Sequence, residues 1–155
     1  LEAEILVQHC DGALVGLVSV AETFAFGIVV LGIRIEGSVP GFVLLLLASA
    51  LMASSFGLLL AALGRTPGAT RGLAILAVLL LVMLGGGWVP AFVFPAWLQK
   101  VTLVLPTRWA IDGLDAVTWR GAGLAAGALP AVAVLLGYTV LFLLVARLRF
   151  RWTDR

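Results

Sequence analysis

An all-helical membrane protein, with four transmembrane helices and two short amphipathic or re-entrant helices ahead of the last span, is the fold this sequence predicts. Composition is the first reason. Of 155 residues 63% are hydrophobic and 12% charged, with a mean hydropathy of +1.19, whereas a soluble domain carries roughly a quarter of its residues as charges. Spacing is the second: the charges fall into islands separated by four apolar gaps, each near the roughly 20 residues a helix needs to cross a bilayer. The third is a stretch rich in glycine and proline that stays apolar, unlike an ordinary loop. A strand barrel is excluded, because barrel strands alternate apolar and polar residues while 43–47 and 76–84 are apolar on every side.

The opening residues, 1–11, hold Glu2, Glu4 and Asp11 without a basic residue. They do not read as a signal peptide, and the expectation is that the chain is cut from something longer. The first span is predicted over 12–33, interrupted by Glu22. Near mid-membrane a charged side chain costs roughly 2.5 to 3.5 kcal/mol on insertion scales. Ser19, Glu22, Thr23 and Phe26 share a helix face, so the carboxylate has polar neighbours and is expected to face protein or a pathway rather than lipid. Two readings stay open at this point: a wet, proton-linked or cation-contacting site, or a protonated glutamic acid bonded between helices.

The second span is predicted over 40–63. Ser49, Ala53, Gly57 and Ala61 recur every four residues along it, a stripe that lets helix backbones approach closely. The pair Gly12 and Gly16 is too short to use in the same way. A third span is predicted over 72–88 and a fourth over 123–146. Between them, 89–122 is the irregular segment. Gly85, Gly86 and Gly87 open it and Pro90, Pro95 and Pro106 break it, since proline lacks an amide donor and clashes with the preceding turn. From Pro95 to Pro106, residues Trp97, Leu98, Val101, Val104 and Leu105 follow a helical spacing. After Pro106, Thr107 is expected to cap a second short helix in which Arg108 and Asp112 pair. Trp88, Trp97, Trp109 and Trp119 cluster here, as interfacial anchors do. The glycines and prolines together are a candidate outer gate or hinge.

Orientation follows the arginines. Arg65 and Arg71 in the short loop after the second span, and Arg147, Arg149, Arg151 and Arg155 in the tail, lie two crossings apart and therefore on one side. Their enrichment marks that side as cytoplasmic, which puts both visible ends inside. Arg34, Glu36, Lys100, Arg108 and Arg120 fall on the outer side.

The chemistry that is missing narrows the function. Ten Lys or Arg against eight Asp or Glu give a net charge of +2, too balanced for a nucleic-acid binder. One cysteine and one histidine exclude a disulfide framework and a Cys/His metal site. His9, Cys10 and Asp11 are adjacent on a helix and so point apart, which argues against a catalytic trio. Asp112 and Asp115, beside Arg108 and Arg120, read as an ion network rather than an acid/base pair. No phosphate loop precedes Lys100, the only lysine, so nucleotide hydrolysis is not expected in this chain.

The string Gly85-Gly86-Gly87-Trp88-Val89-Pro90, then Pro95-Ala96-Trp97-Leu98, then Pro106-Thr107-Arg108-Trp109-Ala110-Ile111-Asp112-Gly113-Leu114, resembles the permease of type 2 ATP-binding-cassette exporters. The Gly37-Ser38 turn and Leu63-Gly64-Arg65-Thr66 also look familial. The resemblance implies that these four spans are the family's last four, in a single permease domain whose first two helices and coupling helix lie outside this chain. It further implies a dimer with a second permease copy in a bacterial-type inner membrane. A cytoplasmic ATP-binding-cassette ATPase would drive export, with ATP and magnesium bound there and no cofactor here. Glu22 and the third glycine depart from the family pattern and leave the substrate open. The rivals are a proton-coupled secondary transporter centred on Glu22 and a membrane assembly or anchoring subunit that transports nothing.

Overall fold

The computed structural model describes residues 2–32, 34–64 and 66–149, with side chains from Val7 onward. Among them are six α-helices and no strand. Arg65, Arg151 and Arg155, which enter the orientation argument, lie outside the described residues, as does Ile33 at the predicted end of the first span.

Helix α1 spans Glu2–Leu31 and stops at Gly32, whose φ of +67° is left-handed. It begins ten residues before the predicted span because charge marks where lipid starts, whereas Glu and Gln are good helix formers on either side of that line. A tight turn leads to α2, Val39–Leu63, capped by the Ser38 hydroxyl accepting from the Gly41 amide at 3.1 Å. Helix α3, Pro67–Gly85, is capped likewise by Thr66. It therefore starts five residues before the predicted 72 and ends three before 88. Arg71 misplaces the start: it sits in the second turn, where it continues the helix. After a 3-10 turn at Ala91–Val93 come α4, Ala96–Thr102, and α5, Pro106–Thr118. A π-helical turn, Leu124–Ala128, runs straight into α6, Leu129–Arg149, so the last membrane-length stretch is Leu124–Arg149.

Alternation of direction gives the molecule two ends: a turn end, with the α1–α2 turn, and a loop end, with the α2–α3 loop and the close of α6. Helices α1 and α2 are antiparallel, with Gly12 against Ser54 near the loop end and the Phe24 ring edge-on to Phe42, 4.8 Å away, near the turn end. Helices α2 and α6 are parallel. Gly41 meets Ala128 and Phe56 lies 5.3 Å from Phe142, an offset that stays within one residue along both helices. The core is the seam between them: Phe42, Leu45, Leu46, Ala48 and Met52 from α2, Ala128, Ala131 and Leu135 from the sixth helix and the turn before it, and Val117 from α5.

Helix α5 lies lengthwise in that seam. Gly113 is pressed between Leu45 and Ala131, so closely that a Cβ there would sit 3.0 and 2.8 Å from their side chains. Toward the turn end, the Glu36, Gly37 and Ser38 amides donate to the Thr118, Val117 and Ala122 carbonyls at 3.1, 2.9 and 3.3 Å. From Gly113 back to Pro106 the helix descends about 10 Å. The bend between α4 and α5 reaches the same level independently, because the Tyr138 hydroxyl donates to the Val104 carbonyl and Tyr138 lies about 10 Å along α6 from Ala131. By the α2–α6 offset this is the level of Met52, near the middle of α2. The two short helices form a re-entrant hairpin; lying flat along the surface does not fit these contacts.

Candidate functional site

A chain that turns round in the middle of a membrane must satisfy its own backbone, because no water is available to do so. The bend achieves this with side chains from two helices. Trp109 Nε1 donates to the Leu103 carbonyl at 2.8 Å, Tyr138 caps the Val104 carbonyl, and the Arg108 amide returns to Leu105 at 3.2 Å. Tyr138 is the chain's one tyrosine; a polar group in the middle of a largely apolar span is the sequence signal for this contact.

The glycines and prolines have separate tasks. Gly85 is where α3 touches α5, and a Cβ there would collide with Thr107. Thr107 is not the cap the sequence suggested. Pro106 occupies the first helical position, which moves the cap to Leu105, a residue without a polar side chain, and the Thr107 hydroxyl instead donates to the Leu81 carbonyl of α3 at 2.8 Å. Gly86, with φ +96°, closes α3 in the left-handed conformation, and the Gly86 and Gly87 amides both return to the Val82 carbonyl. Pro90 and Pro95 immediately precede the 3-10 turn and α4. Gln99 straps these together by donating to the Phe94 carbonyl at 2.8 Å.

One face of α5 is charged. Arg108 Nε donates to Asp112 Oδ2 at 2.6 Å, Arg120 Nε forms an ion pair with Asp115 Oδ2 at 2.9 Å, and Arg120 Nη2 donates to the Asp112 carbonyl at 3.0 Å. The pairing of Arg108 with Asp112 and the ion network are as the sequence predicts. These four residues line a cavity of about 350 Å³ together with Gly86, Phe92 and Ile111. Arg108 is 13% exposed, and its Nη1 is enclosed with no acceptor among the described residues.

The other predicted sites lie apart from this cavity. Glu22 faces away from the chain's own core: it is exposed, as are Ser19, Thr23 and Phe26, while neighbouring Phe24 makes the contact with α2. The expectation that Glu22 faces protein is therefore not met within this chain. Its hydroxyl neighbours are occupied as well, Ser19 donating to the Val15 carbonyl and Thr23 to that of Ser19, each at 2.9 Å. On α2, Ser49 is half-buried but Ala53, Gly57 and Ala61 are exposed. The stripe does not join the described helices; those meet at Gly12, Gly41 and Gly113. Periodicity marks a face that permits close approach without identifying its neighbour. His9 is buried, and its carbonyl accepts from Ser54 at 2.7 Å, a helix contact with no catalytic geometry. No metal-binding cluster is present among the described residues.

Comparison with known proteins follows the same boundaries. The sequence profile of the ABC-2 type transporter family matches residues 6–119, from α1 through the end of α5. The inner membrane transport permease YhhJ of Escherichia coli is 35% identical over 124 residues, covering 80% of this chain and 33% of that protein, and its Shigella flexneri counterpart matches equally. The chain thus spans about a third of the length of these curated relatives. No solved structure matches it significantly.

Proposed function

Since the chain belongs to the ABC-2 type transporter family, we propose that it is the membrane-spanning part of an ATP-driven exporter permease, resident in an inner membrane. It forms part of the substrate pathway, and a cytoplasmic ATP-binding-cassette ATPase supplies the energy. The observation that carries this reading is the re-entrant α4–α5 hairpin. A non-transporting anchor has no need of a chain that enters mid-membrane and turns back, and irregular backbone at that depth belongs where protein or a water-filled cavity covers it. The exposed faces of α1 and α3 and the small-residue stripe of α2 support assembly with further permease helices and a second copy.

In this reading the turn end faces outward and both visible ends are cytoplasmic. Glycines 85 to 87 and prolines 90, 95 and 106 close the outer end of the pathway, and Ser19, Glu22 and Thr23 face it or the second copy. Cysteines placed at Gln99 or Gly121 should react with an impermeant reagent from outside, and one at Gly68 from inside alone; the reverse pattern overturns the orientation. The intact permease, purified alone, should show no ATP turnover and should stimulate that of its ATPase partner. Saturable hydrolysis by the permease itself, after contaminants are removed, would refute the division of labour.

A further inference from the structure

The cavity lined by Phe92 and α5 has a charge pattern that selects among ligands. Arg108 lines it as its least exposed charged residue, with one guanidinium nitrogen committed to Asp112 and another, Nη1, enclosed and without an acceptor among the described residues. A guanidinium group offers five donors in a planar fork suited to phosphate oxygens. Leaving one of them unpaired at this depth costs free energy until an acceptor arrives. The remaining walls are not uniformly basic. Asp112 and Asp115 are about half exposed, at 43% and 48%, and Arg120 is 59% exposed. Two arginines against two aspartates make the cavity neutral overall. With each guanidinium paired to a carboxylate, no net positive charge is left to draw in a bare anion. A zwitterion needs none, provided its anionic part goes to Arg108 and its cationic part to the aspartates.

Position narrows the ligand further. The cavity lies at the end of α3, where Gly86 and Phe92 line it, and Phe92 and Trp88 of this segment are 80% and 70% exposed, as residues at a headgroup boundary are. Leu79, Leu80 and Met83, in the last two turns of α3 before Gly86, are exposed and offer acyl chains an apolar wall. We propose that this cavity binds the headgroup of a zwitterionic phospholipid bearing a primary ammonium, phosphate on Arg108 and ammonium on Asp115. The geometry requires one adjustment, a rotation of the Arg108 guanidinium that turns Nη1 toward the cavity. Binding supplies the missing acceptor and ties Gly86 and Phe92 to the α5 charges. The inference uses the membrane depth of the hairpin and does not depend on export, so its failure leaves the transport reading standing.

The test is lipid retention by the intact permease with its ATPase, reconstituted in nanodiscs of phosphatidylethanolamine, phosphatidylcholine or phosphatidylglycerol and examined by native mass spectrometry after delipidation. Phosphatidylethanolamine should be retained over both others, because the quaternary ammonium of phosphatidylcholine has no N–H to donate and phosphatidylglycerol has no cation at all. Asp115→Asn, which alters an exposed pair and leaves the fold intact, should reduce that retention about tenfold, a loss typical of one charge-assisted contact. Arg108→Lys, which keeps the charge but loses the fork, should do the same. Equal retention of phosphatidylglycerol, or retention unchanged in Asp115→Asn, overturns the assignment. So does protection of the cavity by soluble phosphoethanolamine without any retained lipid, which would make the ligand a free metabolite.

Discussion

Helices α2 and α3 are almost equally apolar, with mean hydropathies of 2.3 and 2.0 over their spans, yet 39% of one is buried inside the protein and 6% of the other. In water the two figures would move together, because apolar surface hides from solvent. In lipid they part company. Acyl chains solvate Leu79 or Leu80 as well as a neighbouring helix would, so hydropathy reports the solvent and leaves packing undetermined. What separates the two helices is shape. Gly41 of α2 admits Ala128, and its Leu45 closes over the bare backbone of Gly113, whereas α3 meets α5 closely at Gly85 and presents Gly68 and Gly72 to open space.

That contrast can be broken by filling the gaps. Gly113→Leu should be the most damaging single change, since its side chain must displace Leu45 and Ala131 from the seam. A loss of about 1 to 3 kcal/mol is expected for such overpacking, read as a lower thermal unfolding midpoint of the intact permease. Tyr138→Phe should come next. It removes a hydroxyl and leaves the Val104 carbonyl open in the membrane, for about 1 to 2 kcal/mol, and faster hydrogen exchange confined to the 102–106 bend is the signature to look for. Gly57→Leu and Gly72→Leu, on open faces, should stay within about 0.5 kcal/mol. They sharpen the comparison in another way: if the α2 stripe is where a second copy docks, Gly57→Leu dissociates the dimer at unchanged fold stability, while Gly72→Leu does neither. The smallest expected structural effect is at Glu22. Glu22→Gln should insert and unfold like the parent and lower transport only if the carboxylate contacts a cationic substrate; parental behaviour of both Gln and Leu variants would remove Glu22 from any role.

The same physics decides what could be read from the sequence. Four spans were legible because lipid demands long runs with few charges, of which only the first is interrupted, by Glu22, and the two short helices because prolines 95 and 106 punctuate an apolar stretch. The pairing of Arg108 with Asp112 was legible because residues four apart on a helix face each other. Boundaries were less so. Charge locates the edge of lipid, while caps such as Thr66 and left-handed glycines such as Gly32 locate the ends of helices, and the two differ by several residues at α1 and α3. Partners were least legible. Nothing in the spacing of Ser49, Ala53, Gly57 and Ala61 tells that α2 turns another face to α1 and α6. Nor does anything around Thr107 tell that its hydroxyl crosses to α3 instead of capping its own helix.

The tyrosine that seals the re-entrant bend has a consequence for synthesis. Helices α1, α2 and α3 close their hydrogen bonds within themselves and can enter a bilayer as each emerges. The α4–α5 bend cannot, because the group that completes it, the Tyr138 hydroxyl, is made 34 residues after Val104. Until α6 arrives, that carbonyl is open, so the contacts the hairpin makes with α2 and α3 leave its bend incomplete. The segment that dips deepest is therefore the last to settle, and the final helix acts as the stopper that holds it there.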